Sequence, residues 1–185
     1  MLVPLKRLDD AKSRLSAVLS PAERTTLMEE MLAAVLAAAE AAAVGPITIV
    51  SAEPIALNGV ARFDDGGLPW NDALAEAMRT LVTEPIATVL SGDLPRVSPE
   101  EIRALVEATP KRGVAIARAL DGGTNAVSMR PPGAVRTCFG EPGSAALHAR
   151  LAEEAGCEAT IVDLPGLAFD VDTPQDLERL RADAE

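Results

Sequence analysis

Short apolar runs alternate with longer amphipathic segments along the whole chain. Six runs are rich in Val, Ile, Ala and Leu and are bounded by turn residues, and Leu2 and Val3 make a seventh, reduced run at the start. Runs of this length and composition predict buried strands. The predicted strands span Leu2–Val3 and residues 47–51, 60–64, 86–90, 113–119, 126–130 and 159–164.

Helix start signals fall between these runs. Ser20 and Ser98 are each followed by a proline and then, three residues after the serine, by a glutamate, which is the pattern of a capping box with proline in the first turn. Thr173 followed by a proline is a third start signal, and Gly156 is a stop signal. The predicted helices span about 21–43, 71 onward, 99–108, 143–155 and 174 onward.

This alternation of strand and helix predicts an α/β fold with three layers and a mostly parallel central sheet. We expect residues 1–185 to form a single domain, since a chain of this length can bury a substantial core. In such folds ligands bind beyond the carboxyl ends of the strands, so candidate chemistry is sought there.

The composition excludes several classes of protein. A net charge of −11 and 2% aromatic residues argue against a nucleic-acid partner. The absence of a long apolar stretch and of a signal peptide predicts no membrane partner. Cys138 and Cys157 lack the spacing of a thiolate metal site and indicate a reducing, cytoplasmic setting. Both a monomer and a homodimer stay open.

Three carboxylates follow predicted strands. Asp93 comes three residues after the run 86–90, and Asp170 and Asp172 lie two apart where we expect a strand to end and the last helix to begin. Side chains at i and i+2 of a strand share one face, about 6.6 Å apart, where two like charges repel by about 3 kcal/mol. A hard cation offsets that repulsion, so the three aspartates predict a Mg²⁺ site.

Other interpretations of these aspartates were weighed. Asp93 alone has the pattern of a turn residue that bonds its own backbone, and Asp172 could cap the last helix beside Thr173. A haloacid-dehalogenase phosphatase places its DxD after the first strand, whereas only 13 residues follow Asp172 here, so that class is excluded.

Basic residues gather in the first segment of this acidic chain. Lys6, Arg7, Lys12 and Arg14 follow the opening apolar residues, where a strand would lead into a loop, and this position favours an anion site over a solvated helix face. A hydrolytic triad is disfavoured because His148 is the only histidine and no GxSxG is present. Neither a GxxxxGK[ST] loop nor a GxGxxG fingerprint occurs.

Five ordered motifs give the chain a family resemblance. VPLKRLDDAKSRLS, SGDLP, DGGTNAVSM, FGEPGSAALH and GLAFDVDTPQDL resemble the 2-phospho-L-lactate guanylyltransferase family of coenzyme F(420) biosynthesis over nearly the whole chain. The resemblance implies a nucleotidyltransferase-like (GT-A, Rossmann-like) fold. It also implies transfer of GMP from GTP to 2-phospho-L-lactate or phosphoenolpyruvate, with Mg²⁺ as cofactor and release of pyrophosphate.

The resemblance also implies roles for individual residues. Its Mg²⁺ ligands are Asp93, Asp170 and Asp172, which with Lys12 are the implied catalytic residues. The implied nucleotide-binding residues are Lys6, Lys12, Arg14 and Asn71. The implied acid-binding residues are Thr124, Gly140, Gly143 and Ser144, and a helix N-terminus at Ser144 suits an anion.

The chain departs from the family pattern in three places. The opening strand is shorter than usual, which would fit a truncated start. GGLPWNDAL carries extra residues beside Asn71, and FGEPGS is one residue longer, so Gly140 and Gly143 compete for one role. Two alternatives stay open, namely a nucleotidyltransferase of this fold acting on a sugar phosphate or molybdopterin, and a non-catalytic nucleotide-binding module.

Overall fold

One sheet of seven strands organises the chain in a computed structural model that describes residues 1–5, 12–54 and 59–182. The strands are β1 (Leu2–Pro4), β2 (Thr48–Val50), β3 (Ala61–Phe63), β4 (Ala87–Leu90), β5 (Gly113–Arg118), β6 (Thr124–Arg130) and β7 (Glu158–Val162). The helices are α1 (Pro21–Ala42), α2 (Trp70–Arg79), α3 (Pro99–Glu107), α4 (Ser144–Glu154), α5 (Pro165–Ala168) and α6 (Pro174–Ala182), and a 3₁₀ turn spans Ser13–Leu15. Among the described residues no helix is both long and apolar enough to cross a membrane.

The sheet is mostly parallel, as predicted. Its strand order is β3-β2-β1-β4-β6-β5-β7, and only β6 pairs antiparallel with its neighbours β4 and β5. The turn between β5 and β6 is tight, so β6 reverses direction instead of crossing over the sheet. The first residues of β6 therefore arrive at the edge where the parallel strands end.

Helices cover both faces of this sheet, which confirms the predicted three layers. One core cluster joins the sheet to α1, α3 and α6, and a second joins it to α2 and α4. Neighbouring residues of β1 show the alternation, since Leu2 belongs to the second cluster and Val3 to the first. The α/β fold class expected from the alternating pattern is therefore correct.

The predicted helix starts are present at atomic level. The side chain of Ser20 accepts from the backbone N–H of Glu23 while the glutamate side chain accepts from the serine N–H, and Ser98 and Glu101 do the same for α3. Thr173 accepts from the N–H of Asp176 at 3.3 Å and donates its hydroxyl to that carboxylate at 2.6 Å. These local contacts begin the helices where the sequence predicted.

One prediction about the chain before α6 is wrong. The strand does not continue to the two aspartates, because β7 ends at Val162 and the short helix α5 intervenes. A side chain at Gly166 would collide with Glu101 and with the backbone of Arg96, and the Gly166 N–H donates to Glu101 Oε1 at 2.7 Å. Close docking of α5 on α3 therefore sets the path of the loop that carries the acidic pair.

Candidate active site

A cavity of about 680 Å³ opens at the edge of the sheet where β1 and β4 end and β6 begins. Nine of the residues implied by the family resemblance line it. They are Lys12, Arg14, Asp93, Thr124, Gly140, Gly143, Ser144, Asp170 and Asp172. The sequence motifs, although far apart along the chain, thus meet around one cavity.

The three aspartates converge at one end of the cavity. Asp93 follows β4 through Ser91 and Gly92, and Asp170 and Asp172 lie in the loop between α5 and α6. One carboxylate oxygen from each lies within 4.8 Å of the other two. The pair shares one side of its loop because Val171 between them is fully buried in the core and turns its neighbours outward. An extended loop thus gives the same i, i+2 placement as the predicted strand.

The surroundings of Asp170 perturb its carboxyl strongly. Burial, together with the negative charge of Asp93, raises its pKa to about 6, against a hydrogen bond from Asn125 that lowers it. Asn125 Nδ2 donates to Asp170 Oδ1 at 3.2 Å. A buried carboxyl that is short of positive charge has the electrostatics of a cation site.

Lys12 supplies the nearest positive charge. Its Nζ donates to Asp93 Oδ2 at 2.5 Å and to Asp172 Oδ1 at 2.8 Å, and its side chain is only 5% exposed. Burial lowers the pKa of Lys12, but the charges of the two aspartates outweigh it, so the pKa is raised and the ammonium stays charged. Arg14, which is largely exposed, donates to Asp172 Oδ2 at 3.3 Å.

These contacts exclude one interpretation of Asp172. Its side chain faces Lys12 and Arg14, and the cap of α6 comes from Thr173 with Asp176. The capping alternative for Asp172 is therefore wrong.

The trio fits a hard divalent cation. Carboxylate oxygens are the ligands that Mg²⁺ and Mn²⁺ prefer. One oxygen from each aspartate lies within 4.8 Å of the other two, so the three carboxylates could close around one ion. Lys12 uses oxygens of Asp93 and Asp172 as well, so the ammonium and a metal ion draw on the same carboxylates.

Hydroxyl and backbone groups line the opposite side of the cavity. Thr124, the first residue of β6, accepts from the hydroxyl of Ser144 at 3.0 Å. Ser144 is the first residue of α4 and is fully buried, so its hydroxyl lies behind that of Thr124. Gly143 at the helix N-cap has φ 66°, a left-handed conformation that glycine adopts without strain. Gly140, φ 76°, makes the second such turn.

Two implied site residues differ from the rest. Asn71 pairs its amide with the backbone of Phe139: Oδ1 accepts from the N–H at 3.0 Å and Nδ2 donates to the carbonyl at 3.1 Å. It thus holds the loop that leads to Gly140, and its contact with a nucleotide stays a prediction. Lys6 lies outside the described residues.

Sequence reasoning missed two groups, Asn125 in the cavity lining and His148 behind it. Asn125 was quoted within DGGTNAVSM but received no role, and its bond to Asp170 follows from the direction of β6. His148 entered only as the single histidine that disfavours a hydrolytic triad, whereas its ring contacts Thr124 on β6 and the backbone of Cys138. The one sequence signal that could have pointed to Asn125 was its position directly after Thr124.

Comparison with known proteins places this geometry in a family. The family model described as "Guanylyl transferase CofC like" matches residues 1–183. A phosphoenolpyruvate guanylyltransferase of Sphaerobacter thermophilus is 42% identical, covering 99% of this chain and 92% of the relative. The enzyme of the same name from Rubrobacter xylanophilus is 37% identical, with 98% and 92% covered. A 2-phospho-L-lactate guanylyltransferase of Halorubrum lacusprofundi is 39% identical, with 94% and 80% covered.

Solved structures share the fold at low identity. A putative nucleotide-diphospho-sugar transferase from Desulfovibrio desulfuricans superposes with a TM-score of 0.75 at 18% identity, covering 97% of this chain and 84% of that one. A nucleotidyl transferase from Methanothermobacter gives 0.69 at 18% identity, with 99% and 97% covered. The Mycobacterium tuberculosis protein Rv0371C, solved in complex with manganese, gives 0.55 at 20% identity, with 97% and 96% covered.

Five motifs around one cavity, a mostly parallel sheet and full-length relatives agree with one another. The alternative of a non-catalytic nucleotide-binding module is excluded, because the relatives are enzymes. The chain belongs to the CofC-like guanylyl transferase family and is a nucleotidyltransferase.

Proposed function

We propose that this chain transfers GMP from GTP to a small phosphorylated three-carbon acid, phosphoenolpyruvate or 2-phospho-L-lactate, and releases pyrophosphate. The product would be a precursor of coenzyme F(420) in which a diphosphate (P–O–P) linkage joins the acid to guanosine. The observation that carries the proposal is the meeting of an acidic trio, two basic side chains and a hydroxyl-lined wall around one cavity. The relatives named above, which are named for one or the other acid, support it.

The basic residues suit the triphosphate. Lys12 and Arg14 lie beside the acidic trio and line the cavity, so their positive charges can neutralise charge that develops on the leaving pyrophosphate. The ammonium of Lys12 is held by buried contacts, whereas Arg14 is 72% exposed and reaches Asp172 from the solvent side. We assign Lys12 the inner position at the triphosphate and Arg14 the outer one.

The acidic trio would hold the metal ion. When bound, Mg²⁺ supplies Lewis-acid polarisation of the α-phosphoryl oxygens and offsets the charge of Asp93, Asp170 and Asp172. The raised pKa of Asp170 indicates that this carboxyl lacks a cationic partner within the described residues, which supports a metal at this place.

The reaction needs no protein base. A phosphate oxygen of the acid attacks the α-phosphorus of GTP, the bond to the bridging oxygen breaks, and pyrophosphate leaves with its electron pair. The attacking phosphate is already largely ionised at neutral pH, since its second pKa is about 6. His148, the only histidine, is fully buried and is not required to accept a proton.

The test is a substrate matrix. Phosphoenolpyruvate, 2-phospho-L-lactate, 3-phosphoglycerate, a sugar phosphate and molybdopterin are each combined with four nucleoside triphosphates and Mg²⁺, and pyrophosphate release and product mass are measured. We expect turnover with GTP and one or both of the first two acids. A sugar phosphate or molybdopterin that is turned over while both acids are inert would overturn the proposal.

Matched variants make this test specific. Asp93→Asn should abolish turnover, whereas Asp163→Asn should leave it unchanged, because Asp163 lies on the surface and pairs with Arg118 in an exposed contact. Loss of turnover in both variants would point to a general effect of charge rather than to the metal site.

A further inference from the structure

The single histidine of the chain lies fully buried behind the hydroxyl wall of the cavity. Nδ1 of His148 lies 3.1 Å from Thr124 Oγ1 and 2.9 Å from the carbonyl oxygen of Ser144. Nε2, on the other side of the ring, accepts the backbone N–H of Cys138 at 3.1 Å. One imidazole thus joins β6, α4 and the loop before Gly140.

These partners determine where the ring carries its proton. A backbone N–H can only donate, so the bond from Cys138 requires an unprotonated Nε2, and the neutral ring must then carry its proton on Nδ1. That proton is shared between the carbonyl of Ser144 and the hydroxyl of Thr124, which are both acceptors in reach. The tautomer is therefore set by the protein rather than by solvent.

The direction of the hydrogen bonds continues into the cavity. Thr124 Oγ1 accepts from the hydroxyl of Ser144 at 3.0 Å and from Nδ1 of His148, so both lone pairs of the oxygen are used. The hydroxyl proton of Thr124 is left to donate, and Thr124 lines the cavity. A donor aimed at the cavity suits an anionic oxygen of the acid.

The same ring supports the neighbouring loop. Besides accepting the N–H of Cys138, it meets the ring of Phe139 edge to face, with centroids 5.5 Å apart. The side-chain amide of Asn71 holds the backbone of Phe139 through two hydrogen bonds. The two residues before Gly140 are therefore held at successive positions.

We infer that His148 is a positioning residue: its Nδ1–H tautomer orients the Thr124 hydroxyl so that it presents its proton to the phosphorylated acid, and its Nε2 holds the loop that leads to Gly140. This inference rests on the proposed function. It assigns no proton transfer to the ring, which touches neither the cavity nor the acidic trio among the described residues.

The surroundings keep the ring neutral. Burial is the largest influence and lowers its pKa to about 4. The charged side chains that act on it, Arg136 and Glu141, have opposite signs and pair with each other at 2.8 Å, so their effects oppose. Protonation would put a hydrogen on Nε2 that faces the backbone N–H of Cys138. Two donors would then oppose each other, so the contact disfavours the charged ring.

A spectroscopic experiment tests the tautomer without any turnover. In protein labelled with ¹⁵N-histidine, a long-range ¹H–¹⁵N correlation spectrum contains the signals of His148 alone, since the chain has no other histidine. We expect a protonated Nδ1 and an unprotonated Nε2 that persist from pH 8 to pH 5. An Nε2–H tautomer, or a ring that is protonated at pH 6, would overturn the inference.

Two conservative variants separate the two contacts of the ring. The amide nitrogen of His148→Asn reaches the place of Nδ1 and keeps the donor to Thr124, whereas the amide of His148→Gln reaches the place of Nε2 and keeps only the contact with Cys138. His148→Phe keeps the ring and removes both bonds. Dissociation constants for phosphoenolpyruvate with Mg²⁺ and for GTP are measured by calorimetry.

We expect His148→Phe and His148→Gln to weaken phosphoenolpyruvate binding by about tenfold, while GTP binding changes less than about threefold. His148→Asn should retain phosphoenolpyruvate binding close to that of the wild type. A merely structural ring would weaken both ligands together, and that result would overturn the inference. Failure of the proposed function is distinguishable, because it would show as wild-type protein that binds neither acid while the Nδ1–H signal persists.

Discussion

Replacing Asp170 by asparagine should stabilise the metal-free protein while destroying its activity. The Asp170 carboxyl is buried beside Asp93, which raises its pKa to about 6 from an ordinary value of 3.8. An asparagine has nearly the same shape, carries no charge, and can still accept the 3.2 Å hydrogen bond from Asn125 through its Oδ1. The substitution therefore removes a strained charge and keeps the local contact.

The magnitude follows from linkage. The difference between about 6 and 3.8 corresponds to about 3 kcal/mol, at 1.36 kcal/mol per pH unit. Asp170 is half-buried, so solvent screening reduces this to about 1 to 2 kcal/mol. For a chain of this size, each kcal/mol shifts Tm by about 2 to 4 °C, so a rise of about 2 to 8 °C is expected at pH 7.

The sign of the pH dependence is also determined. Because the folded-state pKa of Asp170 lies above its unfolded-state value, the native protein binds more protons between pH 3.8 and about 6. The contribution of this group to the free energy of unfolding falls as the pH rises through that window and stays low above it. The gain from Asp170→Asn should therefore be near zero at pH 4 and full at pH 7.

Thermal unfolding in EDTA from pH 4 to pH 8 measures this directly, with Asp163→Asn as the matched surface control. Added Mg²⁺ should raise the Tm of the wild type and leave that of Asp170→Asn nearly unchanged. A variant that is less stable than the wild type at pH 7, or whose advantage does not depend on pH, would refute the electrostatic reasoning.

Three further predictions follow from other contacts. Lys12→Met leaves Asp93 and Asp172 without their buried ammonium, so the metal-free protein should lose about 3 kcal/mol of stability. Calorimetry with Mn²⁺ should then show tighter binding than in the wild type, and weaker binding would contradict the shared-carboxylate geometry. Because His148 is buried in its neutral form, the free energy of unfolding should fall as the pH falls from 6.5 to about 4. Chemical denaturation of His148→Phe should show no such fall. Gly143→Ala should cost about 1 to 2 kcal/mol in the same denaturation assay, because its φ is 66°; an unchanged midpoint would refute it.

Much of the fold could be predicted from the sequence, because the sequence signals for helices and strands are local. The capping boxes at Ser20 and Ser98 are contacts between residues three apart, so the chain forms them wherever the helix lies. Apolar runs also predict buried strands from residues that are close together in the sequence. The acidic trio was also predictable, since the carboxyl ends of parallel strands and the loops beside them meet at one edge.

Other features depended on how distant segments cross. The reversal of β6 brings Thr124 and Asn125 to the active edge, and the sequence pattern of a short buried strand contains no direction. The helix α5 replaces the predicted strand end before Asp170, because Gly166 permits a close approach to α3 that only the folded neighbours make visible.

The sequence by itself predicted which residues would carry the chemistry and determined the order of the elements that hold them. Tertiary structure alone decided how those residues are supported: Lys12 between two aspartates, Asn71 on the backbone of Phe139, and His148 between Thr124 and Cys138. The physical reason is range. Caps and burial patterns are set by near neighbours, whereas a hydrogen bond between residues that are far apart in the chain exists only after the sheet has brought them together.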